Sequence, residues 1–407
     1  MAGAGKHVMR RKVVAVLAGA AVLAAGTWLI MQGSGPPGAD ADGHRVVALG
    51  EAGAVYGEPF SVVSTVRELP DRRVVVADPI GQVVVRIDLG TGAADTIGAV
   101  GEGPAEYRQP DAVWPLPGGR TLLVDLGNGR LTELSPDLEF GATRPYSMGD
   151  MSMGQVVIAL PQAVDDRGRL YFRGFGRMGI ESDSADILRL DPESEALDPV
   201  ASIGLSETIR ETSGGPGEQN ERVSQVPLSP GDAWGVAPDG RVVIARAGDY
   251  RVDWVAEDGS VTSGPPISYT PVGLGQAEKE EWAHERLETG GGLEIAIEVE
   301  NGSMTMRASR GGGSDDDEDL DGYAWPEIKP AFYDRPIPVD GLGRAWVRRH
   351  RDAGEAPTYD VFGSGGERRM VVELPMNRRL VSFGDGVLYA VHMDEFGLQM
   401  LERYALP

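Results

Sequence analysis

The sequence predicts an all-β chain, a six-bladed β-propeller that carries an N-terminal transmembrane or signal segment and an acidic, partly helical insertion. Three observations predict it: a composition suited to short strands and tight turns, a turn-and-strand unit that occurs six times, and a recurrence interval the size of one four-stranded sheet.

Among 407 residues there are 57 glycines and 28 prolines, the material of many tight turns rather than of long helices. The length exceeds an ordinary single domain and suits a radially repeated fold. A formal charge of -24 argues against a phosphate backbone as partner, because duplex binding depends on clustered Lys and Arg. The chain has no cysteine, which excludes disulfides, thiolate nucleophiles, Cys-ligated zinc and a lipidated cysteine.

Residues 1–31 read as a signal anchor or signal peptide. Lys6, Arg10, Arg11 and Lys12 precede an uncharged, mostly apolar run of 19 residues from Val13 to Met31. At about 1.5 Å per residue such a run crosses most of a ~30 Å hydrocarbon layer. The basic flank before it and the acidic body after it set an N-inside, C-outside orientation. The expectation is a single pass through the inner (cytoplasmic) membrane with the propeller outside. The alternative is a secreted or periplasmic chain after cleavage, with Ala39-Asp40-Ala41 as a small-residue site beyond the apolar run. Residues 32–43 form a Gly/Pro-rich linker, and residues 44–407 form the propeller.

The repeat is a tight turn followed by a strand. It reads Leu69-Pro70-Asp71-Arg72-Arg73-Val74, Leu116-Pro117-Gly118-Gly119-Arg120-Thr121 and Asp165-Asp166-Arg167-Gly168-Arg169-Leu170. It continues as Ala237-Pro238-Asp239-Gly240-Arg241-Val242, Asp340-Gly341-Leu342-Gly343-Arg344-Ala345 and Phe383-Gly384-Asp385-Gly386-Val387-Leu388. Asp-Gly and Gly-Gly supply the positive φ of a two-residue hairpin, and β-formers such as Val74-Val75-Val76-Ala77 follow each turn. Arg73, Arg120, Arg169, Arg241, Arg344 and Val387 are separated by 47, 49, 72, 103 and 43 residues. The short intervals match a blade of ~40–50 residues, and the two long ones carry insertions at 205–231 and 276–330.

Gly101-Glu102-Gly103-Pro104-Ala105-Glu106-Tyr107-Arg108-Gln109-Pro110 resembles the connection between blades of NHL-repeat and TolB-like six-bladed propellers. Leu122-Leu123-Val124-Asp125-Leu126-Gly127-Asn128-Gly129-Arg130 resembles the strand-Asp-x-x-Asn-x-Arg segment that follows it there. Asp78 repeats the strand-end Asp, and Gly214-Gly215-Pro216-Gly217-Glu218 echoes the connection in part. The resemblance implies the architecture over residues 44–407, while its specific motifs fall in the first two blades.

An open ring exposes unpaired strand edges, and the last blade supplies only three strands. Arg45-Val46-Val47-Ala48-Leu49 is the expected fourth. With strands lettered a to d from the axis outward, the a–b turns lie on one face. The d-to-a and b-to-c connections, both insertions included, lie on the other, which is the expected binding face. At the end of strand b on that face stand Asp78, Asp125, Gly174, Arg246, Arg349 and His392. One reading makes Asp78, Asp125, Arg246, Arg349 and His392 ligand-binding residues for a small anionic or zwitterionic molecule. The other has Asp78 and Asp125 accepting hydrogen bonds from their own turns.

Within the second insertion, residues 276–288 read as a short helix. Residues 275–325 hold 14 acidic and four basic residues and are expected to form a mobile acidic flap. Asp315 to Asp319 lack the alternating spacing of a calcium loop and read as a solvated charge run. Asn301-Gly302-Ser303 fits a glycosylation pattern without support elsewhere in the chain. No nucleophile elbow and no His-x-x-x-His pair is present, so neither catalytic residues nor a metal or other cofactor is assigned. A gluconolactonase-like propeller implies an Asn-Gly-Leu-type motif, and Trp234-Gly235-Val236-Ala237 lacks the asparagine. The leading expectation is a tethered, noncatalytic binding or scaffold module that recognises a protein, peptide or glycan through its loop-bearing face. The alternative is a metal-assisted hydrolase or lactonase using channel carboxylates such as Asp232 and Asp340.

Overall fold

The computed structural model describes residues 43–150, 155–174, 182–213, 220–289, 293–300, 303–310, 320–394 and 396–407. The apolar run at 13–31, the partial echo at 214–218 and the charge run at 315–319 lie outside the described residues. Among the described residues, no helix is long and apolar enough to cross a membrane.

Six four-stranded sheets form the body. The first four follow chain order from a to d. Blade 1 is Val66–Glu68, Val74–Asp78, Val83–Ile87 and Ala94–Thr96; blade 2 is Pro110–Pro115, Thr121–Asp125, Arg130–Leu134 and Phe140–Pro145. Blade 3 is Ala163–Val164, Leu170–Arg173, Ser184–Leu190 and Leu197–Gly204; blade 4 is Ala233–Val236, Val242–Arg246, Arg251–Val255 and Val261–Ser263. Blade 5 has Ala345–Arg349, Thr358–Phe362 and Arg368–Glu373, with residues 337–339 inside them through Trp346 N–H to Pro338 O at 3.0 Å. Blade 6 has Arg378–Gly384, Val387–Met393 and Gln399–Ala405.

The b strands read as unbroken apolar runs because a blade is covered on both sides. Side chains alternate across a strand, so each b strand serves two neighbours. Val74 and Val76 pack with Tyr389, Val391 and Leu401 of blade 6. Val75 and Ala77 pack with Val113 and Leu123 of blade 2. The same division occurs in blade 4, where Val242 and Ile244 meet Tyr171 and Ile187 while Val243 and Ala245 meet Val347 and Phe362.

The turns differ from the two-residue hairpins expected. Five are three-residue loops, as where Leu69 N–H donates to Arg73 O at 2.7 Å and Arg72 N–H to Leu69 O at 2.9 Å. In blades 1, 3, 4 and 5 the loop is closed by one left-handed residue, so a single positive φ suffices, whereas blade 2 uses two, at Gly118 and Gly119. Gly343 takes that position at φ 72° in blade 5, and Arg72 takes it at φ 66° in blade 1.

Closure also differs. The fourth strand of blade 6 is Ala54–Val55, antiparallel to Gln399–Ala405 and continued by a Phe60–Gln399 bridge. Tyr56 and Phe60 are buried beneath it, and Phe60 N–H donates to Gln399 O at 2.8 Å. The expected closing strand, Arg45–Ala48, instead adds in parallel to the outer strand of blade 5, with Arg45 opposite Met370 and Ala48 opposite Glu373. Both segments are short and at most half-buried. What separates them is the pair of aromatic anchors that follows the second.

Candidate functional site

Excursions from the repeat occur at the d-to-a connections, on the face opposite the a–b turns. They are a hairpin of Ser147–Asp150 and Gln155–Ile158, a second of Thr208–Ser213 and Asn220–Gln225, the helix Gln276–Glu288, and a third hairpin of Leu293–Glu300 and Ser303–Arg310. The helix has the bounds the sequence predicts. The third hairpin was not foreseen, although Asn301-Gly302 between two strands that pair from Glu300–Ser303 outward is a strong hairpin signal.

The described part of the second insertion is packed down rather than projecting as a flap. Glu285 is 5% exposed and takes Arg348 Nη2 at 2.5 Å, Arg335 Nη2 at 3.3 Å and the Tyr333 hydroxyl at 3.1 Å. Burial alone would raise its pKa, but Arg348 and Arg335 outweigh burial and hold it at about 2. The Tyr333 ring is stacked on His350 with centroids 3.7 Å apart and carries the Arg348 guanidinium 4.3 Å from its centroid. Burial holds the His350 imidazole well below its ordinary pKa. Lys329, 1% exposed, donates to Glu281 at 3.0 Å and to Arg351 O at 2.9 Å. Trp282, Tyr323 and Trp325 close edge to face on one another and give the helix a small core of its own.

From this anchorage over blade 5, the third hairpin reaches blade 2. Arg310 N–H donates to Gln109 Oε1 at 3.2 Å, Gln109 Nε2 returns a bond to Arg310 O at 3.0 Å, and the Arg310 guanidinium pairs with Asp111. Ala308 N–H donates to the Tyr146 hydroxyl at 3.2 Å. Since blades 2 and 5 face each other across the axis, the insertion forms a roof over the central channel. Beneath it lies a cavity of about 800 Å³ lined by the a strands of all six blades. At the turn end of this cavity Asp166 and Asp385 are exposed.

The five residues singled out from the sequence stand one strand out from that wall, at the loop-face end of strand b. Asp78 is buried and accepts N–H groups from Ser61 (2.6 Å), Ile80 (3.0 Å) and Gly81 (2.8 Å). Asp125 likewise takes the N–H groups of Arg108 and Gln109, each at 3.1 Å, and Asn128 Nδ2 at 2.7 Å. Arg246 bridges Asp253 (2.8 Å), Asp232 (2.9 Å) and Ser202 O (3.0 Å), joining blades 3 and 4. Arg349 forks onto buried Asp360 at 2.9 and 2.5 Å. His392 lies between Arg378 and Met400 in the register of blade 6.

The two carboxylates of the hydrolase alternative are engaged by their own surroundings. Asp232 accepts Gly204 N–H, Ala247 N–H and Arg246, each at 2.9 Å. Asp340 is fully buried and holds Leu342 N–H, Arg344 N–H and Trp346 Nε1, each at 3.0 Å, with Arg344 Nε at 2.7 Å. Among the described residues no three His, Asp or Glu side chains converge as a metal's ligands.

The loop face also presents apolar side chains to solvent. Phe396, 79% exposed, and Leu398 occupy the b–c loop of blade 6, Met376 the connection leading into that blade, and Ile80 the b–c loop of neighbouring blade 1. Sequence reasoning passed over them. The signal was an aromatic residue directly before Gly397 in a turn headed by Asp394, whose carboxylate accepts Phe396 N–H at 2.9 Å.

No protein family's model and no curated protein matches the chain. Solved structures align with it along most of its length. A gluconolactonase from Xanthomonas campestris aligns at 14% identity over 91% of this chain and 99% of that one, with a TM-score of 0.38. A virginiamycin B lyase from Staphylococcus aureus aligns at 9% identity over 88% and 99%, TM-score 0.38. A calcium-binding protein, regucalcin, from Agrobacterium tumefaciens aligns at 12% identity over 89% and 97%, TM-score 0.35. At such identities and TM-scores the alignments assign no residue of this chain a role.

Proposed function

We propose that this chain is a noncatalytic binding module, tethered outside the membrane by its N-terminal segment, that recognises a protein or peptide through its loop-bearing face. The observation that supports it is the concentration of three hairpins, a helix and four solvent-facing apolar side chains on one side of the wheel. Exposed apolar groups grouped on one face are the usual mark of a docking surface. On this reading Arg246, Arg349 and His392 contribute polar positions on the same face, while Asp78 and Asp125 hold its loops in shape.

The direction of Arg45–Ala48 fits a tether. The strand runs parallel to Arg368–Glu373, which leads from the turn face to the loop face. The chain therefore comes up from the turn rim, and a membrane holding residues 13–31 would lie on that side. The loop face then points away from the lipid, toward soluble partners.

Because the chain lacks cysteine, a benzophenone maleimide can be attached at Phe396→Cys or Ile80→Cys on the loop face and at Leu342→Cys on the turn face. Irradiation in cells should give discrete adducts from the first two and none from the third. Equal adducts from Leu342→Cys, or none from the loop positions, would overturn the assignment.

A further inference from the structure

We infer that the roofed channel is a binding site for an amphiphilic carboxylate, a site separate from the docking face and independent of it. The cavity of about 800 Å³ falls within the ~300–1,000 Å³ typical of small-molecule sites. Every blade gives its wall residues of the innermost strand, among them Val66, Val113, Ala163, Val236, Ile337 and Leu380, and the surface they leave open to the channel is more apolar than polar. This wall suits a hydrocarbon body.

The roofed end is of opposite character. Arg310, Arg335, Arg348 and Arg379 all line it, and Asp111 is the one carboxylate in the lining there. In a chain of charge -24, four guanidiniums set against the two carboxylates Asp111 and Glu285 leave an excess of positive charge at one end of the channel, a local field of the opposite sign. They are also fixed before any ligand arrives. Arg335 and Arg348 are held by Glu285 from behind and lie over the Tyr333 ring, with Arg335 5.2 Å from its centroid. Arg310 is held by Asp111 and by Thr289 O at 2.9 Å. The Arg335 side chain is a third exposed, and its Nη1 atom, buried and without a hydrogen bond among the described residues, is a donor still open to a ligand's carboxylate.

Asp166 and Asp385 at the turn end do not cancel this field. The a strands run four to six residues, as in Ala233–Val236 and Pro110–Pro115, so at ~3.3 Å per residue the rim lies ~13–20 Å from the arginines. That exceeds the ~8 Å screening length of physiological salt, which acts at the exposed rim and much less inside. A ligand with a single carboxylate and an apolar body satisfies both halves of the chamber; a polyanion would leave the apolar wall unused.

The test uses the full chain in lipid nanodiscs and three probes: 4-phenylbutyrate, its amide, and 4-phenylbutanol. Calorimetry should show the acid binding at least tenfold more tightly than either neutral probe, and Arg335→Gln should lose at least that factor for the acid alone. Equal binding of acid and alcohol, no binding of the acid, or an unchanged affinity in Arg335→Gln would overturn the inference. Should Arg335→Gln melt early, the double variant Ala163→Trp, Val236→Trp decides the matter, since two indoles set into the wall from neighbouring blades 3 and 4 obstruct the chamber. Loss of acid binding in that variant supports the site, and retention places the acid elsewhere and refutes it. None of these outcomes bears on the cross-linking test of the docking face.

Discussion

The ring should be held shut by Tyr56 and Phe60 rather than by the strand that precedes them, and substitution at the two places separates the roles. Phe60 is 4% exposed, packs 5.7 Å from Tyr56 ring to ring, and belongs to the core shared by blades 6 and 1. Phe60→Ala deletes a buried ring at the seam, a change that costs ~3–5 kcal/mol in well-packed cores. With an unfolding entropy of ~2.1 cal/mol/K per residue, a body of this size should lose about 5 °C of Tm. Val47, in the parallel strand on blade 5, is only half-buried, so Val47→Ala removes two partly exposed methyls and should cost about 1 kcal/mol, or 1–2 °C. Truncation gives the same contrast. A chain beginning at residue 50 should melt cooperatively within a few degrees of the parent. One beginning at residue 61 leaves the outer edge of blade 6 unpaired and should lose the sharp transition. Scanning calorimetry measures both pairs. Equal losses for Val47→Ala and Phe60→Ala, or equal behaviour of the two truncations, would refute the assignment of the seam.

The polar cluster under the roof should make stability depend on pH in two steps. His350 is kept neutral in the fold, whereas the unfolded chain takes up a proton below about 6.5; its contribution is present above that pH and is lost as pH falls beneath it. Glu285 has its folded pKa depressed to about 2, so its contribution is complete above the ordinary carboxylate value near 4.5 and is lost between there and 2. Denaturant titrations at pH 7.5, 5.5 and 3.5 should show both declines. His350→Gln should flatten the first; an unchanged difference between pH 7.5 and 5.5 in that variant would contradict the assignment. Glu285→Gln should cost ~3–5 kcal/mol at neutral pH, because it strips a buried anion from two arginines. At the turn rim, the nearest atom to a Cβ built on Gly343 is Arg241 Nη2 at 3.6 Å, so Gly343→Ala meets no clash and its expected cost of ~1–2 kcal/mol is that of the left-handed backbone alone. Arg72→Gly should be neutral or mildly stabilising, and a neutral Gly343→Ala would remove the account of these turns.

The sequence made the six blades legible because each is written locally. A turn, an apolar strand and a second strand lie within about 20 residues of one another, and the turn needs one residue with positive φ. The helix at 276–288 was legible for the same reason, since thirteen consecutive residues free of Gly and Pro fix their own backbone preference. The errors fall where partners are far apart in the chain. Residues 45–48 and 54–55 are both short extended pieces, and nothing within either says which of two blade edges, some 320 to 350 residues later, it will join. The aromatic pair behind the second decides it, and that is a property of the cavity at the seam rather than of the strand. The candidate site shows the same division. Asp78 and Asp125 were visible through their place in the repeat, and that regular place is what commits them to their own loops. The roof arginines come from the third hairpin, the connection into blade 5, and blades 5 and 6. Bonds to residues far back in the chain, from Arg310 to Asp111 and Gln109 and from Ala308 to Tyr146, bring the first of them over the axis to join the others. Repetition in this chain therefore encodes the frame, and what varies between repeats, anchored to it by buried ion pairs, builds the chamber.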